Sequence, residues 1–301
     1  MEYCRVSIGM PVYNDVKFLP RALNSILAQT FTDFELIISD DASTDGSERV
    51  CKRFEKMDSR IKYIRQEKNI GISRNMEFLI RNAKGKYFMW AGNDDIWDAS
   101  FIEILINGFE NSINVVSVFC PMAFIDEEDN IITDYSIRAT DYSGNTAFAR
   151  LKKLIKIFDD GFGYGLFCRD QIKEVKFPVW WWVNKKCAYN NIYPTLCYYL
   201  ALGDFKLTGV KPLWFNRLKK EKDINHKIPY NHTFLRGWLS FSLRKLNLVL
   251  VSLQNILAAK GSLNTCYKIA PFMFFYWFII PSYNEFRQRF IGILKGNVSF
   301  W

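Results

Sequence analysis

The 301-residue chain carries 40 Lys and Arg against 31 Asp and Glu, a formal net charge of +9, and 49% of its residues are hydrophobic. That apolar share excludes an intrinsically disordered chain, and the length allows one large domain or two smaller ones. Seven cysteines, odd in number and without a Cys-x-x-Cys spacing, exclude a disulfide framework and point to a reducing compartment. No charged-then-apolar leader precedes Arg5, so a cytoplasmic protein is expected.

Arg5 to Met10 reads as a short buried strand, and Pro11-Val12-Tyr13-Asn14-Asp15 as its tight exit, with Asn14 or Asp15 placed to cap the next helix. That helix shows Leu19, Ala22, Leu23, Ile26 and Leu27 at helical spacing, with Pro20 tolerated only in its first turn. Phe34 to Ser39 is a second strand ending in Asp40-Asp41. Asp45 and Glu48 have capping-box spacing for a helix to Met57. Ile61 to Arg65 gives a third strand, the Asn69-Ile70-Gly71 loop follows, and Ser73 opens a helix through Ala83. The fourth strand, Tyr87 to Ala91, leads through Gly92-Asn93 to Asp94-Asp95.

This β-α-β-α-β-α-β order predicts an α/β fold, a Rossmann-type, mostly parallel sheet with helices on both faces. Its strand ends place Tyr13, Asp41 and the Asp94/Asp95 pair along one rim, where open parallel sheets bind ligands. Adjacent carboxylates repel unless a cation or hydrogen bonds hold them. Mg2+ suits such a pair, because it takes one or two protein carboxylates together with phosphate oxygens. The plainer reading is that the pair caps the helix starting near Ser100.

Helix Phe101–Phe109 and strand Val115–Cys120 continue the alternation, and Ile125 to Ile132 reads as a hairpin turning on Glu128-Asp129-Asn130. A short helix, Leu151 to Phe158, precedes Asp159-Asp160-Gly161-Phe162-Gly163-Tyr164-Gly165, where three alternate glycines beside two acids suit a backbone bending close to a ligand or an ordinary loop. Trp180-Trp181-Trp182 reads either as a sugar-stacking surface or as core. A helix over Ile192–Leu202 and a strand over Lys206–Val210 lead to the basic Lys219-Lys220-Glu221-Lys222 run.

Charge divides the chain unevenly. Residues 205–301 hold 15 Lys and Arg against three acids, a net of +12, whereas residues 1–204 carry a net of −3. We therefore expect two units, a catalytic domain over 1–215 and a basic, aromatic-rich helical extension over 216–301. The extension holds an apolar helix over Phe234–Ala259 and a second apolar stretch over Ile269–Pro281, too short to span a bilayer unaided. Apolar runs flanked by cations suit an anionic membrane surface, or a helical cap on the catalytic domain or on a second copy of the chain. Basic residues interleaved with long apolar runs argue against nucleic acid as the partner.

The motif series resembles the family 2 glycosyltransferases of GT-A fold. The resemblance rests on Val6-Ser7-Ile8-Gly9-Met10-Pro11-Val12-Tyr13-Asn14, Ser25 to Phe31, Asp33 to Ser47, Asn69-Ile70-Gly71, Arg74-Asn75, Ala83 to Tyr87 and Asn93-Asp94-Asp95, in order and spacing over roughly residues 5–120. It implies transfer of a sugar, with inversion, from a nucleotide-sugar that is usually UDP-linked. Together with the basic, apolar C-terminal end, the series leads us to expect an enzyme on the inner face of the membrane that extends a glycan or lipid-linked acceptor. By the same resemblance Pro11, Tyr13, Asn14, Asp41, Arg74 and Asp94 fall at nucleotide-binding positions. Tyr13 lies against the base, Asp41 bonds it, and Asp94 lies nearer the ribose. Asp95 becomes the ligand of Mg2+ or Mn2+, and Gly92 stands where many members have an extra Asp. Relatives carry their catalytic base just before the helix expected at Ile192, where this chain has Tyr189-Asn190-Asn191. A neutral amide cannot take up a proton usefully, so either another acid supplies the base, Asp160 ahead of Asp159, or the correspondence with relatives is shifted here. A catalytically impaired partner subunit that binds nucleotide-sugar or glycan is the alternative.

Overall fold

The computed structural model describes residues 4–112, 115–132, 140–157, 161–175, 177, 192–209, 211–218, 246, 248–259, 263–282 and 284. Asp159, Asp160, the three consecutive tryptophans, Asn190, Asn191, the Lys219–Lys222 run and residues 234–245 lie outside the described residues.

Alternating apolar residues make β1 (Val6–Val12) a strand buried on both faces. It lies between β2 (Phe34–Asp40) and β4 (Tyr87–Trp90), parallel to both, and β3 (Ile61–Arg65) pairs with β2 on the outer side. Pro11 sits inside β1 without harm, because the β4 register reaches only Val6 to Gly9 and no neighbour on that side needs an N–H at position 11. Beyond β4 the sheet continues through β8 (Leu166–Cys168), β6 (Val115–Phe119) and β9 (Asp204–Leu207), giving the order β3-β2-β1-β4-β8-β6-β9. β8 is antiparallel to both its neighbours. The expected mostly parallel α/β sheet is therefore present, with one reversed strand inserted.

Helices cover both faces. Val6, Ile8, Met10, Leu36, Ile38, Tyr87 and Met89 point to one side, where they pack with α1 (Leu19–Leu27), α2 (Ser47–Met57) and α4 (Phe101–Glu110). Ile37, Phe88 and Trp90 point to the other, toward α3 (Ile72–Asn82), α5 (Ala147–Ile157) and α7 (Ile192–Leu202). A four-residue helical turn, α6 (Arg169–Ile172), follows β8. Two further helices, α8 over 248–258 and α9 (Leu263–Met273), join this second face through Leu248, Val249, Ile256, Ile269 and Met273, all at most 4% exposed. The described part of the C-terminal extension thus packs over this second face, while Leu263, Tyr267, Phe274 and Phe275 on its outer side stay exposed. Among the described residues no helix is long and apolar enough to cross a membrane.

A second, three-stranded sheet stands beside the carboxyl edge of β4. In it β10 (Trp214–Arg217) pairs antiparallel with β5 (Ile96–Trp97) and parallel with β7 (Met122–Ile125). The division expected at 215/216 runs through β10. The 125–132 hairpin forms, with Ile125 bridging Ile131. The capping box does not. Gly46, with φ of +97°, precedes α2, and Asp45 accepts from the Ser47 amide at 3.0 Å and from the Val16 amide at 2.9 Å. Asp45 ties two loops together, and Glu48 pairs with Lys52 and Arg65.

Candidate active site

The chain runs outward from β1 to β3 and then jumps back to β4 on the other side of β1. At such a switch the connecting loops part and leave a crevice at the carboxyl ends of the strands. Three adjacent strands, β2, β1 and β4, end there in Asp41, Tyr13 and Asp94-Asp95. Neighbouring strands lie about 4.8 Å apart, so the three ends span roughly 10 Å.

The loops after β1 and β2 are bonded to each other. Asn14, at φ of +51°, donates its amide to Ser43 Oγ at 3.0 Å and accepts the Thr44 amide on Oδ1 at 2.7 Å. Asp40, fully buried, accepts from the Ser43 amide (2.8 Å), the Tyr63 hydroxyl (2.7 Å) and Arg65 Nη1 (2.9 Å). Burial first and the hydrogen bond to Asp40 next push the Tyr63 hydroxyl far above its ordinary range, so it stays a donor. This network fixes the turn that carries Asp41.

Asp41 is 3% exposed, and its two oxygens accept the Ile70 amide at 2.6 Å and the Gly71 amide at 2.9 Å. It therefore holds down the loop that opens α3. Gly71 has φ of +85° there, a conformation that a side chain would strain. Asn75 on α3 donates to the Ser39 carbonyl at 2.9 Å. Arg74, one residue earlier, is exposed, as is Tyr13 at 44%. Pro11 is half-buried at the end of β1.

The acidic pair divides differently from expectation. Asp95 is 2% exposed, and its carboxylate turns into the protein. Oδ2 accepts Trp214 Nε1 at 3.0 Å, and Oδ1 accepts Asn216 Nδ2 and the Arg217 amide, both at 3.1 Å. Burial first, and the neighbouring Asp94 charge second, push its carboxyl well up, against the pull of those three donors. Gly92 makes room for this arrangement, since a Cβ there would lie 2.6 Å from Asp95 Oδ2. Asp94 is half-buried at the turn. Both Asp95 oxygens thus face donors of β10, while Asp94 beside it is the less buried carboxylate of the pair. Neither Trp214, Asn216 nor Arg217 carries a local sequence signal, since their partners lie about 120 positions away.

Among the described residues no three His, Cys, Asp or Glu side chains converge as a metal cage. One rim carboxylate is nevertheless the donor set that Mg2+ or Mn2+ takes when phosphate oxygens and water complete its shell. The residues fit a cation that arrives with a diphosphate, not a bare ion. Asp159 and Asp160, the expected base candidates, lie outside the described residues.

A model of glycosyl transferase family 2 matches residues 7–176. The glycosyltransferase GlyA of Streptococcus pneumoniae is 37% identical over 101 residues, covering 34% of this chain and 14% of that protein. The chondroitin synthase of Escherichia coli is 33% identical over 129 residues, covering 43% and 19% respectively. The chain thus matches less than a fifth of the length of these two relatives. Among solved structures, S. aureus TarS 1-349 in complex with UDP-GlcNAc shares the fold with a TM-score of 0.61 at 14% identity, over 84% of this chain and 70% of that one. The mannosyltransferase PcManGT of Pyrobaculum calidifontis, in complex with GDP-Man and Mn2+, gives 0.52 at 14% identity over 98% and 87%. A match over more than half of the chain, borne on the strands whose ends build this crevice, makes the protein a member of glycosyl transferase family 2.

Proposed function

We propose that the chain is an inverting glycosyltransferase that moves a sugar from a UDP-linked donor to a glycan or lipid-linked acceptor in the synthesis of a surface polysaccharide or glycoconjugate. The observation that carries this reading is the alignment of Asp41, Tyr13 and Asp94 on three adjacent strand ends at the switch point. Tyr13 offers an exposed ring face to the base. Asp41 keeps lone pairs for a base N–H beyond the two amides it already accepts. Arg74, exposed on the first turn of α3, suits the donor phosphates. Asp94 would hold a divalent cation together with the donor diphosphate, and such a cation when bound would supply Lewis-acid neutralisation of the leaving group. The attacking hydroxyl must lose a proton, for which Asp160 and then Asp159 remain the candidates.

The test is turnover of a panel of nucleotide-sugars with Mn2+ or Mg2+ and oligosaccharide acceptors. Transfer from a UDP-sugar that Asp94→Asn abolishes is the expected result, and absence of turnover with every donor would refute the enzyme. Binding of UDP-sugar without turnover would instead favour the partner-subunit reading, which Asn190-Asn191 motivates. We also assign the chain to the inner face of the membrane. The net +12 of residues 205–301 and the exposed Leu263, Tyr267, Phe274 and Phe275 support this. Sedimentation with vesicles of increasing anionic lipid content tests it, and absence of binding at low salt would refute it.

A further inference from the structure

Arg217 lies beyond the matched residues 7–176 and bonds both residues of the acidic pair. Its side chain is fully inaccessible to solvent. Nε donates to the Asp94 carbonyl at 2.9 Å, and its own amide donates to Asp95 Oδ1 at 3.1 Å. The two remaining nitrogens donate to the Asp126 carbonyl and to Asp129 Oδ1. The guanidinium carbon stands 4.5 Å from the centre of the Phe18 ring. One residue therefore grips both members of the Asp94–Asp95 pair and ties them to the 126–130 turn. That turn is itself held to α1, where Arg21 Nη1 donates to Asp129 Oδ2 at 2.9 Å and Lys17 pairs with Glu127.

We infer that Arg217 is a positioning residue that fixes the backbone of Asp94, so that its carboxylate stands ready for the cation-bound diphosphate of the donor. Only a planar fork of donors reaches a carbonyl on one side and a carboxylate on the other while stacking on a ring. A lysine cannot make the three contacts together. Pinning the Asp94 carbonyl removes the backbone freedom that would otherwise be lost when the donor binds. Asp95 completes the clamp, since Trp214 and Asn216 hold its carboxylate from the same strand. The inference rests on the reading of Asp94 as the cation ligand, and the experiment separates the two.

The full-length protein and the variants Arg217→Lys, Asp129→Asn and Asp94→Asn are compared. Binding of Mn2+ in the presence of UDP is followed by the spin-resonance signal of free Mn2+. UDP binding without metal is followed by calorimetry, and folding by thermal melting. Arg217→Lys is expected to weaken Mn2+ binding about 10- to 100-fold, the usual effect of losing an outer partner of a ligand, while leaving metal-free UDP binding unchanged. Asp129→Asn, on a partly exposed turn, removes the counter-charge of Arg217 and should cause a smaller loss of the same kind. It carries the test if the Arg217 variant does not fold. Unchanged Mn2+ binding in a folded Arg217 or Asp129 variant, or equal weakening of UDP with and without metal, overturns the clamp. Unchanged Mn2+ binding in Asp94→Asn would instead overturn the ligand assignment on which the clamp rests.

Discussion

Replacing Asp41 by Ala separates a carboxylate that only touches ligand from one that also builds its site. In the structure the Asp41 oxygens accept the Ile70 amide at 2.6 Å and the Gly71 amide at 2.9 Å, at a position 3% exposed. Hydrogen bonds to a charged acceptor contribute roughly 1.5–3 kcal/mol each. Removing a buried carboxylate also removes part of its own desolvation penalty. The net loss is then about 2–4 kcal/mol, which for a chain of this size lowers Tm by roughly 3–6 °C. The variant should also bind UDP about tenfold more weakly, a loss near 1.4 kcal/mol. Scanning calorimetry reads the first effect and titration calorimetry with UDP the second. Asp41→Asn keeps one acceptor and should lie between Ala and the native residue on both scales. A variant with Ala at 41 that melts like the parent would refute the structural role, whatever happened to UDP.

Asp95→Asn sets an amide N–H2 against either the Trp214 indole or the β10 donors, and chemical denaturation should show a loss of about 1–3 kcal/mol. Gly92→Ala should destabilise in the same assay, because its Cβ would arrive 2.6 Å from Asp95 Oδ2 and force that carboxylate off Trp214. The Asp98 carboxyl is held below its ordinary range, first by the Ser100 hydroxyl at 2.6 Å and then by the Ser100 amide at 2.9 Å. A depressed folded value stabilises above the unfolded carboxyl range and is lost as pH falls through the folded value. Asp98→Asn should therefore flatten the acid limb of the stability curve below about pH 4, and equal acid limbs would refute this. A chain cut after residue 218 should aggregate, since Ile256, Ile269 and Met273, each 0% exposed, close the face above α5 and α7; a soluble fragment with the parent Tm would contradict the packing.

The first half of the fold is legible because each element declares itself locally. The apolar alternation in Val6–Val12 and the helical stripe of Leu19, Ala22, Leu23 and Ile26 each match what is observed. The strand order then follows from the handedness of the crossovers, and with it the rim of Tyr13, Asp41 and Asp94. The strands β5, β8 and β10, of two to four residues, are not legible. They exist because distant partners supply their hydrogen bonds, as Ile96 does for Phe215 and Ser117 for Phe167. The inward turn of Asp95 is hidden for the same reason. Nothing near Asp95 in sequence distinguishes it from Asp94; the donors that claim it come from Trp214, Asn216 and Arg217.

The two halves of the chain also differ in how much chemistry constrains them. A nucleoside diphosphate demands particular groups at particular strand ends, so the turn after β2 needs Asp40, Ser43, Tyr63 and Arg65 together to hold one aspartate in place. The second face needs only apolar volume over α5 and α7, and many sequences satisfy that. Tyr199, Leu248, Val249, Ile256 and Ile269 meet this loose demand on that face. Yet the chain between Tyr199 and Leu248 returns β10 to the donor side, and Arg217 there closes a contact that the matched segment cannot make by itself. On the proposed reading the donor site is a joint product: one half would contribute the groups that touch the nucleotide, and the other the strand whose Arg217 holds the backbone of one of them.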